Sequence, residues 1–401
     1  MIDYADALSQ VAAKARRLPA EIVTLTQSLG RTLAQDIRAR APVPPFAKAT
    51  MDGYAVRAGD TRAHAGGRPV GLEVIEDLPA GRISRKAIGP GQAVRIMTGA
   101  PLPKGADAVV MVEDTQKAGT RVKVLRTVER GDNIGKAGED LQKGELILEK
   151  GDVIGPAEVG MVASLGLASV RVIRRPKLVV IATGDEIVEP GRKAGPGRIW
   201  NANGYSLLSL ARQAGAAASY LGIARDRNSQ LKLKIRQARS ADILVLSGGV
   251  SVGDYDLVKE GLRDLGVRPV FWQLRTKPGK PTFFGVRGKQ LVFGLPGNPT
   301  SAMVMFHLFT RPAIDRMLGR KCPGLRSARA LLQEEITLRP GRTQFLRGVL
   351  AGQGPALRVS PFPDQRSGVL RSMVKSQALI VVSADSSRLE KGREVEILLL
   401  D

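Results

Sequence analysis

The spacing of apolar residues changes several times along this chain, and each change marks a new structural regime. Over residues 3–18, Ala5, Leu8, Val11, Ala12, Ala15 and Leu18 recur at the interval that lines one face of a helix. Residues 24–30 and 31–38 then predict a turn and a short helix. The run Ala41-Pro42-Val43-Pro44-Pro45-Phe46 cannot continue a helix and marks a boundary. From residue 52 to about 140, short β-like runs at 72–75, 93–96, 108–112 and 122–125 alternate with Gly and Pro, the pattern of a small all-β domain. A strand at 146–148 and a helix at 156–165 follow.

The pattern shifts again between about 176 and 318. Strand-like runs at 177–182, 217–223, 243–246, 268–274 and 290–295 have helical spacing between several of them, at 203–214, 229–238 and 257–265. That alternation predicts a mostly parallel sheet in a three-layer α/β domain. From 324 onward the chain returns to short strands at 330–338, 346–350, 378–382 and 394–400, which suits a β-barrel or sandwich. The expected fold class is therefore multi-domain α/β plus β. The divisions fall at 1–42 with 141–172 (N-terminal/linking), 43–140 (small β), 173–322 (α/β) and 323–401 (C-terminal β).

With 401 residues the chain is too long for one ordinary core, and 43% hydrophobic residues are enough to pack several. No apolar run approaches the roughly 20 residues that span a bilayer. The start, Met1-Ile2-Asp3-Tyr4-Ala5-Asp6, is acidic and lacks a signal peptide's apolar core. One cysteine, Cys322, allows no internal disulfide or Cys-based metal site, and only His64 and His307 offer imidazole, so zinc chemistry is disfavoured. These features predict a cytoplasmic protein with no membrane partner. The net charge of +23, from 61 basic and 38 acidic residues, attracts anions. Basic residues are not interleaved with aromatics in the way that stacks bases, which argues against nucleic acid.

Candidate chemistry concentrates at strand ends. Ser247-Gly248-Gly249-Val250-Ser251-Val252-Gly253-Asp254-Tyr255-Asp256 follows one apolar run and precedes a helical segment. Glycines let backbone N–H groups approach an anion, and a helix N-terminus adds its dipole. Carboxylates beside a phosphate need a divalent cation between them or must face another part of the ligand. Two further strands run into Thr183-Gly184-Asp185-Glu186 and Pro296-Gly297-Asn298-Pro299-Thr300-Ser301. In an open α/β sheet such loops surround one crevice. Between them, Lys277-Pro278-Gly279-Lys280-Pro281 offers two ammonium groups on a stiffened loop, suited to an oxyanion. Asp52, in Met51-Asp52-Gly53-Tyr54-Ala55, and Asp140, in Gly138-Glu139-Asp140, sit at the two ends of the β domain and suit turns as well as a cleft. Arg225-Asp226-Arg227 reads as a surface ion-pair cluster.

Taken in order, these motifs resemble the MoeA / gephyrin E-domain family, the molybdopterin molybdenumtransferases, over nearly the whole chain. The resemblance implies a central molybdopterin-binding fold, a homodimer of four-domain subunits, and a transferase of molybdenum cofactor biosynthesis. In that reaction molybdate is inserted into adenylylated molybdopterin, with Mg²⁺-dependent cleavage of the pyrophosphate link and release of AMP. Residue by residue, it implies that Glu186, Asp226 and Asp256 hold Mg²⁺ or the nucleotide end. Asp52 and Asp140 approach from the other subunit's β domain, and Lys277 faces the phosphates. Lys280, Pro281, Ser301, Arg342 and Ser367 would receive molybdate. Thr183, Gly184, Asp185, Ser247, Gly248, Gly249, Ser251, Pro296, Gly297 and Asn298 complete the substrate site. Transient contact with molybdopterin adenylyltransferase and with molybdoenzyme acceptors is also implied. Two positions depart from the pattern: Gly135, followed by Lys136, where many relatives carry arginine, and Asn201, where relatives often carry aspartate. Alternatives within the same fold are a gephyrin-type scaffold or the adenylylating step itself.

Overall fold

The computed structural model describes residues 1–63, 68–249, 261–354 and 357–400. The chain forms two compact units, one of 1–35, 151–155 and 169–401, the other of 36–150 and 156–168. Among the described residues no helix is long and apolar enough to cross a membrane.

The smaller unit is built on a six-stranded sheet in the order Ala108–Met111, Gly53–Val56, Gln92–Ile96, Val70–Leu78, Arg121–Val124, Thr115–Ala118. Strand alternation sends Tyr54, Val56 and Val110 into one apolar cluster and Ala55, Val94 and Val109 into another, so both faces of the sheet are covered. Gly53 is required here. A Cβ at that position would run into the Val110 carbonyl. The helix Pro156–Ser164 also belongs to this unit.

The larger unit has an α/β sheet in the order Ala217–Ala224, Lys177–Thr183, Ile243–Ser247, Gln290–Leu295, Phe283–Arg287, Arg268–Trp272. The first four strands are mutually parallel. Phe283–Arg287 is antiparallel to both of its neighbours. Helices Ala202–Gln213, Asn228–Gln237 and Pro299–Met305 follow strands of this sheet. Buried residues form one cluster with Leu178, Leu207 and Phe293 and another with Ile181, Leu231 and Leu244, so the sheet is packed on both faces. The C-terminal part is a barrel closed by pairing of Thr343–Ala351, Arg358–Pro361, Ser327–Leu332, Glu394–Leu399 and Ala378–Val382, the last returning to the first. Thr276–Lys277, a segment of the α/β domain, adds to this barrel in parallel with Thr343–Ala351.

One expected element is absent. Residues 31–38 form no helix. Thr32 and Leu33 make antiparallel bridges to Val153 and Val172, and Ile37–Arg38 is a strand paired with Leu146–Leu148. The Leu33 N–H and C=O are taken by Asp152 and Gly151, so the backbone groups a helix would use are already committed. Conversely, Phe283–Arg287 is a strand the hydrophobic pattern did not single out. It is joined to Gln290–Leu295 by the short Gly288-Lys289 turn.

Candidate functional site

Three neighbouring parallel strands end at one rim. Register pairs Ala182 with Ser247 and Ser247 with Leu295, so the loops that follow them emerge together. The chain runs from Lys177–Thr183 to its outer neighbour Ala217–Ala224, then crosses to the other side at Ile243–Ser247. The rim beside Thr183 and Ser247 is therefore a topological switch point, where open α/β sheets bind ligands. Thr183 Oγ1 donates to the Ser247 carbonyl at 3.3 Å, and Gly248 N–H donates to the Leu295 carbonyl at 3.1 Å. Gly248 has φ +93°, and a Cβ there would lie 2.5 Å from the Thr183 carbonyl oxygen. The close approach and the left-handed backbone both require glycine. Gly249 follows it at φ +65°. Ser251 and Asp256 lie outside the described residues.

The acidic turn beside this rim is held by backbone contacts. Asp185 N–H donates to Asp226 Oδ2 at 3.1 Å, and Asp226 N–H returns a bond to Asp185 Oδ1 at 3.3 Å. Arg225 is no member of a surface ion-pair cluster. Its Nη1 donates to the carbonyls of Gly184, Asp185 and Ile187 at 3.4, 2.9 and 2.9 Å, clamping the turn from behind. Asp185, Glu186 and Asp226 remain exposed. Among the described residues no group of three metal-ligating side chains is assembled.

A cleft of about 950 Å³ opens on the barrel side of the same rim. Its walls include Lys277, Lys280, Pro281, Pro296, Asn298, Ser301, Arg342 and Ser367, side chains drawn from four separate stretches of sequence. Local structure explains the convergence. Pairing of Thr276 with Thr343 and Lys277 with Gln344 brings the lysine loop alongside Arg342. Thr282 Oγ1 donates to the Gly279 carbonyl at 2.6 Å and Leu274 N–H to the Lys280 carbonyl at 2.9 Å, fixing the turn that carries Lys280. Gly279 at φ +96° abuts Met305, leaving no room for a side chain. Asn298 precedes the helix Pro299–Met305 and donates through Nδ2 to Ser367 Oγ at 2.8 Å, while Thr300 N–H donates to the Ser367 carbonyl at 3.2 Å.

Arg347 organises the far wall. It is 1% exposed, and its guanidinium donates to Ser372 Oγ at 3.2 Å and to the Asp364 and Arg366 carbonyls at 3.4 and 3.3 Å. Burial pulls this guanidinium down to about 10. Gln365 clasps the backbone of Arg347 in both directions, accepting from its N–H at 3.0 Å and donating to its carbonyl at 2.9 Å. In the same loop, hydrogen bonds from the Arg366 side chain lower the Asp364 carboxyl to about 2.

Asn203 joins the two halves of the site. Its Nδ2 donates to Ser247 Oγ at 2.8 Å and to the Gly297 carbonyl at 2.7 Å. Asn201, two residues earlier, is a buried helix cap. Its Oδ1 accepts from Gly204 N–H at 2.9 Å and its Nδ2 donates to Tyr220 at 2.5 Å. Motif reading singled out neither Asn203 nor Arg347, and it gave Arg225 only a surface role. A polar residue just inside a helix that follows a Gly-rich turn is a faint signal for the first. Nothing local marks the other two.

In the smaller unit, Asp52 Oδ1 accepts from Thr98 N–H at 2.7 Å and from Thr98 Oγ1 at 2.6 Å. These bonds, led by the hydroxyl, hold its carboxyl below the usual range. Asp140 is exposed, with its N–H bonded to the Val43 carbonyl at 3.0 Å. At Gly135 an added Cβ would lie 2.8 Å from Glu139 Oε1, so the glycine leaves room for a carboxylate that also accepts from Lys136 N–H at 3.0 Å.

Comparison with known proteins extends over the whole chain. Residues 2–166 match the MoeA N-terminal region (domain I and II), residues 179–316 a probable molybdopterin binding domain, and residues 329–400 the MoeA C-terminal region (domain IV). A molybdopterin molybdenumtransferase of Bacillus subtilis is 38% identical over 385 residues, 95% of this chain and 90% of that protein. Two solved structures of molybdopterin biosynthesis MoeA proteins from Pyrococcus horikoshii cover 100% of this chain and 99% and 100% of theirs. They have TM-scores of 0.84 and 0.81 at 34% and 32% identity. With its strand-end rim, its cationic cleft and these end-to-end matches, the chain belongs to the MoeA family of molybdopterin molybdenumtransferases.

Proposed function

We propose that this protein is a transferase of molybdenum cofactor biosynthesis that inserts molybdate into adenylylated molybdopterin and releases AMP. The observation that carries the reading is the single loop 296–298. It is bonded to Asn203 beside the acidic, glycine-bearing rim on one side and to Ser367 in the cationic cleft on the other. A substrate with a phosphate-linked nucleotide at one end and a metal-accepting dithiolene at the other needs two such regions at a fixed spacing.

The roles divide by chemistry. Ammonium, guanidinium and hydroxyl donors from Lys280, Arg342, Ser301 and Ser367 suit molybdate, a tetrahedral dianion. Lys277 suits the phosphates, and the backbone around Gly248 and Gly249 suits an anionic group at close range. Asp185, Glu186 and Asp226 offer oxygen donors only, exposed and adjacent, which fits a hard cation such as Mg²⁺ that prefers one or two carboxylates plus phosphate oxygens. In that site Mg²⁺ would supply charge neutralisation of the pyrophosphate link. Asp52 and Asp140, on the other unit, would serve from a second copy in a homodimer. A cytoplasmic setting and transient contact with an adenylyltransferase and with acceptor molybdoenzymes complete the proposal.

The test is AMP release from adenylylated molybdopterin by the purified protein. Release should require both molybdate and Mg²⁺ and stop on addition of EDTA. Glu186→Gln should abolish it while leaving the thermal midpoint unchanged. A correctly folded protein that releases no AMP under these conditions overturns the reading.

A further inference from the structure

The α/β sheet has a second polar end, opposite the rim. There a cleft of about 510 Å³ is lined by residues that precede or begin strands of the sheet and by the segment after the first helix, Tyr4–Lys14. Six of its fourteen lining residues are cationic: Lys14, Arg16, Arg17, Arg174, Arg268 and Lys289. The chain's overall share of Lys and Arg, 61 of 401, would put about two there, so the hollow is richer in cations than the chain as a whole. The one carboxylate in the lining, Asp242, is already committed. It accepts from both terminal nitrogens of Arg174 at 2.8 and 2.9 Å and from Lys177 N–H at 2.7 Å.

The cations are carried on a fixed backbone. Leu18 N–H donates to the Met317 carbonyl, and Arg174 N–H donates to the Pro19 carbonyl, both at 2.9 Å. These bonds hold the segment bearing Arg16 and Arg17 beside Arg174. Lys289 projects from the short turn between Phe283–Arg287 and Gln290–Leu295, while Arg268 opens the edge strand. Asp242 neutralises Arg174, which leaves five exposed cations, Lys14, Arg16, Arg17, Arg268 and Lys289, around one hollow, where a bound anion would relieve their mutual repulsion. Strands of five to seven residues separate this hollow from the rim by about 15–20 Å, so it is not a continuation of the active cleft.

The geometry points to an oligophosphate-binding site at this end of the sheet, separate from the catalytic cleft. A chain of linked phosphates matches several cations spaced around a hollow larger than a single phosphate needs. Among the described residues no aromatic side chain lines it, so none of them offers a face to stack a base. That favours the phosphate chain itself over a nucleobase or a single-stranded nucleic acid as the recognised element.

Calorimetric titration of the full-length protein with inorganic triphosphate tests this directly. Wild type should take up two equivalents, one in each cleft. The double variant Arg16→Glu with Lys289→Glu should take up one, or bind the second at least about tenfold more weakly, with AMP release unchanged. The milder pair Arg16→Gln with Lys289→Gln should show the same direction and keeps the test valid if charge reversal impairs folding. ATP as competitor separates the sources: equal competition identifies free oligophosphate, stronger competition a nucleotide. Equal triphosphate uptake by wild type and both variants overturns the proposal. So does retention of a single-stranded oligonucleotide by a protein that ignores triphosphate.

Discussion

Asn298 donates to Ser367 across 2.8 Å, and the bond ties the start of a helix in the α/β domain to a loop of the C-terminal barrel. Because Ser367 Oγ accepts here, its own proton is left for an oxyanion in the cleft. Ser367→Ala is expected to raise the molybdate concentration for half-maximal AMP release about tenfold, the equivalent of one charge-assisted hydrogen bond of roughly 1.5 kcal/mol. Asn298→Ala should move it in the same direction. Initial rates over a molybdate series measure both.

Gly248 sits where a methyl group would meet the Thr183 carbonyl and where φ is positive. Gly248→Ala should therefore cost about 1–3 kcal/mol of stability. It should also shift the adjoining Gly249 backbone at the rim, so AMP binding should weaken by more than the loss of stability alone would produce. Thermal unfolding and equilibrium dialysis with AMP read the two effects separately.

Arg347 is buried and holds the Asp364 and Arg366 carbonyls in place. Arg347→Met removes the guanidinium bond to the Asp364 carbonyl, while the Arg366 carbonyl keeps the Val369 N–H, and should destabilise the protein by about 1–3 kcal/mol. Arg347→Lys should recover little of this, because an ammonium cannot reproduce the planar fork. Urea unfolding of both variants checks the size and the order.

The Asp364 carboxyl, lowered from 3.8 to about 2 by Arg366, sets an acid limit for the same loop. A depressed carboxyl contributes stability that is complete above its unfolded value of 3.8 and is lost as pH falls through about 2. The stability difference between wild type and Asp364→Asn should therefore be constant above about pH 5 and shrink as the pH is lowered towards about 2. Denaturant titrations across that range follow it. A difference that persisted unchanged to the acid end would refute the assignment.

Asp52 is exposed, and two hydrogen bonds from Thr98 hold its carboxyl below the usual carboxylate range. Asp52→Asn should leave the unfolding midpoint within about 1 °C, since little packing is lost. It should lower AMP release on the order of a hundredfold if this carboxylate acts on the reaction. Thr98→Val should show a weaker form of the same loss.

Much of this architecture is legible in the amino-acid sequence. Strand–loop–helix order around Ser247 and around Leu295 predicted two neighbouring strand ends, and those strands are parallel neighbours. What could not be read was set by contacts distant in sequence. Residues 31–38 have the spacing of a short helix, but Leu33 is paired across the chain with Gly151 and Asp152. Phe283–Arg287 hid behind the conspicuous lysine loop that precedes it. Arg225 looked like one charge among three at the surface, although its partners are carbonyls some 40 residues earlier. Asn203 bridges residues 44 and 94 positions away, and no local pattern announces such a link.

Lys277 belongs by sequence to the α/β domain and by hydrogen bonding to the barrel. The barrel therefore cannot be trimmed away as a dispensable appendage. Cutting the chain near residue 323 would strip the lysine segment of its lateral support and leave a hinge where the intact protein has a splint. Any minimal version of this enzyme must carry its last eighty or so residues, because they brace a cation encoded much earlier in the gene.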